Sequence, residues 1–187
     1  MVFRFSSPVL ASASRKAGSA LLLLAPLFFA ACNGSDIDID ELNAQALKRQ
    51  KQVRQADSLA ITKYIADSSF MASRQPSGLY IVRKVAGTGD QPRPNQVVSV
   101  VYRGTLLNNV QFDKSSIGPD GNPVPISFAI GTGRVIAGWE EGIGLMRKGE
   151  KAILLIPSEL AYGPKGAGNV IPPDAPLRFD VELTNIQ

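Results

Sequence analysis

Histidine is absent from this chain of 187 residues, and cysteine occurs once, at Cys32. Without histidine there is no imidazole to act as a general base, to complete a Ser-His-Asp triad or to join the usual zinc and iron sites. A single cysteine allows neither an internal disulfide nor a cysteine-rich metal site. The sequence therefore excludes many common enzyme mechanisms, and we expect no cofactor and no metal.

A strong excess of positive charge is also lacking over most of the chain. The sequence has 20 Lys and Arg against 16 Asp and Glu, a formal net charge of +4. Residues 1–31 contain Arg4, Arg15 and Lys16 and no acidic residue, so about 17 basic groups face 16 acidic ones in the remainder. Nucleic-acid recognition requires clustered basic charge. We therefore expect no nucleic-acid partner.

Residues 1–31 have the pattern of an export signal. Arg15 and Lys16 precede an apolar run from Ala17 to Ala31, which is shorter than the roughly 20 residues that a membrane-spanning helix needs. A positively charged start, a short apolar stretch and small residues at the end are typical of a signal peptide.

The end of this segment determines the expected location of the protein. Ala30 and Ala31 precede Cys32, and this arrangement resembles a bacterial lipobox. The resemblance implies cleavage before Cys32 and its acylation, and two or three acyl chains hold a protein stably on a membrane. We expect a cell-envelope lipoprotein with its domain in the periplasm or at the cell surface, and Asn33 favours the outer membrane. An ordinary signal-peptidase site beside an unrelated cysteine is the alternative.

Residues 32–40 are short, polar and acidic and are predicted to form an acylated tether, followed by a helical linker or arm at 41–74. The stretch 41–68 contains neither Gly nor Pro and is predicted to form one amphipathic helix. Its apolar face would comprise Leu42, Ala46, Val53, Leu59, Ala60, Tyr64 and Ile65. A spacer, a helix packed on the following domain and a dimerisation arm all remain open, so a dimer through 41–68 is one expectation.

Residues 75–187 form the predicted catalytic domain. Runs that favour β-strands lie at 79–82, 97–102, 111–113, 126–130, 151–156 and 177–183, with one short helical candidate at 136–146. Several antiparallel strands and one short helix predict an α+β domain whose sheet buries one face.

Five segments of this domain resemble FKBP-type peptidyl-prolyl cis-trans isomerases in order and spacing. They are Val101–Leu106, Phe112–Asp113, Val135–Gly142, Ala161–Pro173 and Phe179–Leu183. The resemblance covers about residues 78–187 and implies an FKBP-like, strongly curved antiparallel sheet of about five strands wrapped on one short helix. Together with Cys32, it identifies the chain as the bacterial lipoprotein form of this family.

The chemistry implied by the resemblance suits a chain without histidine. Rotation about an X–Pro bond crosses a barrier of about 18–20 kcal/mol because twisting the amide sacrifices resonance, and no covalent bond breaks. An apolar pocket with a few hydrogen-bond donors is sufficient for this reaction. The implied catalytic residues are Tyr102, Phe112, Asp113, Trp139, Tyr162 and Phe179, and the implied substrate-binding residues are Val135, Ile136, Ile171 and Ile126.

Within this set the resemblance implies separate roles. Trp139 forms the floor under the prolyl ring, Tyr162 donates its hydroxyl to a substrate carbonyl, and the Ile136 N–H binds another carbonyl. Ile171 covers the ring, and Asp113 accepts a hydrogen bond at the pocket edge. The expected partners are proline-containing polypeptides of exported proteins, and macrolides as ligands. The alternative is a lipid-tethered chaperone or binding module on the same fold with little turnover.

Overall fold

A computed structural model describes residues 39–187. The predicted signal peptide, Cys32 and nearly all of the tether therefore lie outside the described residues. The elements in chain order are α1 (Ile39–Asp67), β1 (Ser73–Arg74), β2 (Tyr80–Val85), β3 (Val97–Leu106), β4 (Gln111–Lys114), β5 (Ile126–Ala129), α2 (Ala137–Gly144), β6 (Lys151–Ile156) and β7 (Leu177–Ile186).

The strands form one antiparallel sheet in the order β1-β2-β6-β7-β3-β4. β5 pairs with the first half of β3, and β4 pairs with its second half. The described residues thus contain seven strands where about five were expected. The larger number reflects short strands: β1 has two residues, and β4 and β5 have four each. The predicted α+β fold, an antiparallel sheet with a short helix, is confirmed.

One face of the sheet packs against α2 and forms the inner core. Alternate residues of β7, from Leu177 to Leu183, point into this core together with Trp139 and Ile143 of the helix. The helix lies close to β6 because Gly138 and Gly142 have no side chain; a Cβ on Gly138 would lie 2.4 Å from Ile156 Cγ2. Glycine at these two positions therefore sets the distance between helix and sheet.

The opposite face of the sheet packs against the last turns of α1. Ile61 is fully buried there in an outer cluster with Tyr80, Val82, Ile153 and Leu155. β6 contributes to both clusters, which explains its uninterrupted apolar run from Ala152 to Ile156. The second half of α1 is therefore part of the folded domain.

The packed face of α1 differs from the predicted face. Leu42, Ala46, Leu59 and Ala60 are exposed, whereas Val53, Tyr64 and Ile65 are half-buried. The helix buries Asp57 and Ile61, which were not assigned to that face. The difference arises because the helix turns Asp57 and Ile61 toward the start of the flap and the outer cluster, while Leu59 and Ala60 point away from both. No helix within residues 39–187 is long and apolar enough to cross a membrane.

Candidate active site

An open cavity of about 380 Å³ lies beside the inner core, between α2, the edge of the sheet and the loops around them. Eight of the ten predicted site residues line it, namely Tyr102, Asp113, Ile126, Val135, Ile136, Trp139, Tyr162 and Phe179. They come from β3, β4, β5, β7, the start of α2 and two loops. The fold therefore brings together side chains that are up to 77 residues apart in the sequence (102 to 179).

Aromatic rings form the base of the cavity. Trp139 is 4% exposed, and its ring centroid lies 5.0 Å from that of Tyr102 and 5.1 Å from that of Phe179, both edge-to-face. Such edge-to-face pairs stabilise one another beyond simple burial. The base is consequently a rigid apolar surface whose shape depends on three interlocked rings.

Tyr102 and Asp113 form the principal polar pair of the cavity. The Tyr102 hydroxyl donates to Asp113 Oδ2 at 2.7 Å, and the Lys114 N–H donates to Asp113 Oδ1 at 2.8 Å. Burial, followed by the hydrogen bond and the charge of Asp113, raises the pKa of Tyr102 to about 12. Tyr102 therefore stays protonated at neutral pH, and its hydrogen bond fixes the carboxylate at the cavity edge.

The two donors that were predicted to bind substrate carbonyls have no partner among residues 39–187, and neither has the buried Nε1–H of Trp139. Neither the Tyr162 hydroxyl nor the Ile136 N–H forms a hydrogen bond with any residue of the described chain. Burial, and to a lesser degree the charge of Asp113, raises the pKa of Tyr162, so its hydroxyl also keeps its proton. Both groups are available to bind acceptors of a ligand.

Two loops carry these free donors. The 131–136 loop precedes α2 and ends at Ile136; the Gly131 and Gly133 N–H groups donate to the Glu140 carboxylate at 2.5 and 2.9 Å. Tyr162 belongs to the flap, residues 157–176, which connects β6 to β7. Within the flap, two 3₁₀ turns, Ser158–Leu160 and Gly163–Lys165, flank the tyrosine.

Phe112 and Ile171 are the two predicted site residues that do not line the cavity. Phe112 packs edge-to-face against Phe179 at 5.4 Å and supports that ring from behind. Ile171 was expected to cover a prolyl ring but is 6% exposed and lies in the inner core. Reciprocal backbone hydrogen bonds between Ala167 and Ile171, 2.9 and 3.1 Å, fold this part of the flap inward.

The cavity also contains residues that the sequence did not single out. Gly133 and Arg134 line its mouth, and Phe128 packs on Trp139 with 6.0 Å between the ring centroids. The position of Arg134 directly before Val135 was the only sequence signal that could have identified it. Residues 39–187 contain no group of three or more Cys, Asp or Glu side chains that could hold a metal ion.

Comparison with known proteins agrees with this geometry. A family model for FKBP-type peptidyl-prolyl cis-trans isomerase matches residues 89–184. FK506-binding protein 2 of Candida glabrata is 54% identical over 93 residues, which cover 50% of this chain and 66% of that protein. The FK506-binding protein of Neisseria meningitidis serogroup B is 42% identical over 109 residues, covering 58% of this chain and 96% of that protein.

A solved structure extends the similarity to the fold. The crystal structure of a peptidyl-prolyl cis-trans isomerase from Pseudomonas syringae pv. tomato has 32% sequence identity and a TM-score of 0.59, and the match covers 71% of this chain and 95% of that one. The predicted enzyme class is thereby confirmed at the level of the family. The chain belongs to the FKBP-type peptidyl-prolyl cis-trans isomerases.

Proposed function

We propose that this protein accelerates X–Pro isomerisation in exported proteins through the cavity beside α2. The observation that carries the proposal is the pairing of an apolar aromatic base with two free donors, the Tyr162 hydroxyl and the Ile136 N–H. The cavity is large enough for a prolyl ring and its neighbouring carbonyls, at about 380 Å³. Uncatalysed proline isomerisation is slow enough to limit folding, so exported chains would fold faster if it were catalysed.

The apolar base would act on the ground state of the amide. The planar amide is stabilised by charge separation, and an environment poor in water disfavours that separation. The twisted amide has a more localised C–N single bond and less charge separation. It therefore loses less solvation free energy than the planar amide on entering the cavity. Trp139, Tyr102 and Phe179 provide this environment because their packed rings form an apolar base for the cavity.

The free donors would act on the substrate carbonyls. The Tyr162 hydroxyl and the Ile136 N–H already lie at the cavity without a partner, so binding a carbonyl breaks no hydrogen bond within the protein. Asp113 holds Tyr102 and accepts a hydrogen bond without transferring a proton. A ten-thousand-fold acceleration requires that these effects together remove roughly 5–6 kcal/mol from the barrier.

A proline-isomerisation assay on a peptide tests the proposal, using the full chain beside Tyr162→Phe and Asp113→Ala. Both variants should be slower than the parent. Tyr80→Phe is the matched control, because Tyr80 lies in the outer cluster on the opposite face of the sheet. A parent protein that does not exceed the uncatalysed rate, yet still holds an unfolded proline-rich client, would favour the chaperone alternative.

Macrolide binding is part of the same proposal. The Candida and Neisseria relatives are both called FK506-binding proteins. The aromatic base and Ile126 of this chain lie where an apolar ligand would compete with the peptide. Inhibition of the assay by FK506 tests this, and full activity in its presence would contradict it.

We also propose that Cys32 anchors the protein in a bacterial cell envelope, with the outer membrane favoured. The support is the order of charge, apolar run and small residues before this cysteine. Mass spectrometry should find acyl groups on the native protein and none on Cys32→Ser. An unchanged membrane fraction for the variant would contradict the anchor. Dimerisation through 41–68 stays a prediction, which the mass of the full chain in detergent tests.

A further inference from the structure

We propose that α1 positions the catalytic flap, and that Asp57 is the positioning residue through which it acts. Asp57 is 3% exposed and Ser158 is fully buried, although 101 residues separate them. Asp57 Oδ2 accepts hydrogen bonds from both the Ser158 N–H and the Ser158 hydroxyl, each at 2.7 Å. Ser158 begins the first 3₁₀ turn of the flap, four residues before Tyr162.

The backbone continues this connection to the residue before Tyr162. The Ala161 N–H donates to the Ser158 carbonyl at 3.0 Å, which closes the turn that Asp57 holds. The direction in which Tyr162 leaves this turn therefore depends on the position of Ser158. A displaced Ser158 would move the hydroxyl that faces the cavity, and misplacement of a catalytic group costs rate even when it is small.

The residue after Tyr162 has its own connection to α1. Arg49 forms an ion pair with Asp174 at 2.5 Å, and the Asp174 N–H donates to the Gly163 carbonyl at 2.9 Å. Arg54 adds a second ion pair, to Glu159, at 2.5 Å. Tyr162 thus lies between two residues whose hydrogen-bond partners are both held by one helix.

Burial decides which of the three contacts carries most of the effect. The side chains of Arg49 and Arg54 are 54% and 64% exposed, so water and salt weaken their ion pairs. The hydrogen bonds of Asp57 are buried and therefore shielded from water and salt. Burial raises the pKa of Asp57 despite the two bonds from Ser158, so the carboxyl occupies this place at an energetic cost.

Asp57 is not the only residue that docks the helix. Ile61 and its outer cluster already hold the end of α1 against β2 and β6. Asp57 lies one turn earlier and makes its hydrogen bonds to the flap alone. A residue that only fastened the helix would be redundant at this place, whereas one that fixes the flap would not.

The test compares Asp57→Ala, Asp57→Asn and the control Asp67→Ala in the full chain, each with Tyr162 and with Tyr162→Phe. Asp67 belongs to the same helix and pairs with Lys63 on its surface. The kinetic part of the test rests on the proposed isomerase function. We expect Asp57→Ala to lower kcat/KM about five- to tenfold when Tyr162 is present and by less than about twofold in Tyr162→Phe, as coupled residues do.

The other variants separate positioning from a general loss of structure. Asparagine can accept both bonds from Ser158, so Asp57→Asn should retain most of the activity, and Asp67→Ala all of it. An equal loss of kcat/KM in both backgrounds would overturn the inference. If Asp57→Ala does not fold, Ser158→Ala removes the hydroxyl bond from the other side and takes its place in the comparison.

Hydrogen exchange provides a readout that needs no activity. In Asp57→Ala the Ala161 amide should exchange about tenfold faster, while the amides of β7 keep the parent rate. Unchanged exchange at Ala161 would overturn the inference, and so would equal acceleration at Ala161 and throughout β7. A parent protein without isomerase activity would disprove the proposed function, while the exchange result would still decide whether α1 holds the flap.

Discussion

The two loops that carry the free donors of the cavity are held in different ways. The 131–136 loop is held by Glu140, which is seven to nine residues away from the N–H groups that it accepts. The flap is held by Asp57, which is 101 residues away from Ser158. In both loops a carboxylate accepts two donors and fixes a segment that faces the cavity.

The difference lies in what else must fold before each carboxylate can act. Glu140 belongs to α2, which directly follows its loop, so the arrangement forms within one stretch of chain. Asp57 reaches Ser158 only when α1 is packed against the outer face of the sheet. The 131–136 loop should therefore be independent of α1, while the flap should respond to every change in how α1 docks.

The largest expected effect comes from Ile61→Ala. Ile61 is fully buried in the outer cluster, and truncation of such a side chain to alanine costs about 2–5 kcal/mol of stability. Urea unfolding should show this loss, and hydrogen exchange at the Ala161 amide should become faster while exchange at the Gly131 and Gly133 amides stays constant. Leu59→Ala is the matched control, because Leu59 is 71% exposed on the same helix. Equally faster hydrogen exchange in both loops would contradict the inference that only the flap depends on α1.

The next effect in size comes from Glu140→Ala. Two N–H groups lose their acceptor, which costs about 1–3 kcal/mol of stability, and the Ile136 donor loses its fixed place. We expect kcat/KM to fall about tenfold. Glu140→Gln keeps one carbonyl acceptor, so its kcat/KM should lie between the values of the parent and of Glu140→Ala. Faster exchange in the flap of Glu140→Ala would contradict the independence of the two loops.

The same distinction explains what the sequence could predict. Strand alternation and the short helix are local patterns, and the fold that they indicated is confirmed. Trp139, Tyr102 and Asp113 were recognisable because they lie in motifs with a characteristic spacing. Prediction was less successful where position depends on distant packing: Ile171 belongs to the right loop, but the fold of that loop turns it into the core.

The contacts of α1 could not have been found from its own sequence. Leu42 and Leu59 look like the packing residues of an amphipathic helix, yet both are exposed. Asp57 looks like a solvent-facing residue, yet it is buried against Ser158. The packed face is determined by the partner surface, which comprises β2, β6 and the start of the flap, and no periodicity within the helix contains that information.

A smaller effect is expected in the pH dependence of stability. Burial raises the pKa of Asp57 in the folded protein, and the charges of Asp174 and Glu159 act in the same direction. A carboxyl whose pKa is raised by folding adds stability below its unfolded pKa, and this contribution is lost as the pH rises through the folded pKa. Asp57→Asn has no such group, although Arg49 and Arg54 still face the same surface.

The free energy of unfolding of the parent, relative to Asp57→Asn, should therefore decrease as the pH is raised from about 3 to about 7. Urea unfolding of both proteins at several pH values measures this difference, and the other carboxyl groups cancel because the variant retains them. If the free energy of unfolding of the parent, relative to Asp57→Asn, rises with pH, the hydrogen bonds from Ser158 stabilise the Asp57 carboxylate by more than burial destabilises it.

The smallest effect is expected where both loops meet the substrate. The pKa of Tyr102 is about 12 and that of Tyr162 is raised, so neither phenol loses its proton near neutral pH. The chain has no histidine that could titrate there. Because the proposed reaction transfers no proton, kcat/KM should be constant between about pH 6 and 9. A bell-shaped profile for a peptide without titrating groups would show that a cavity residue acts as an acid or base. It would contradict a mechanism in which the donors only form hydrogen bonds.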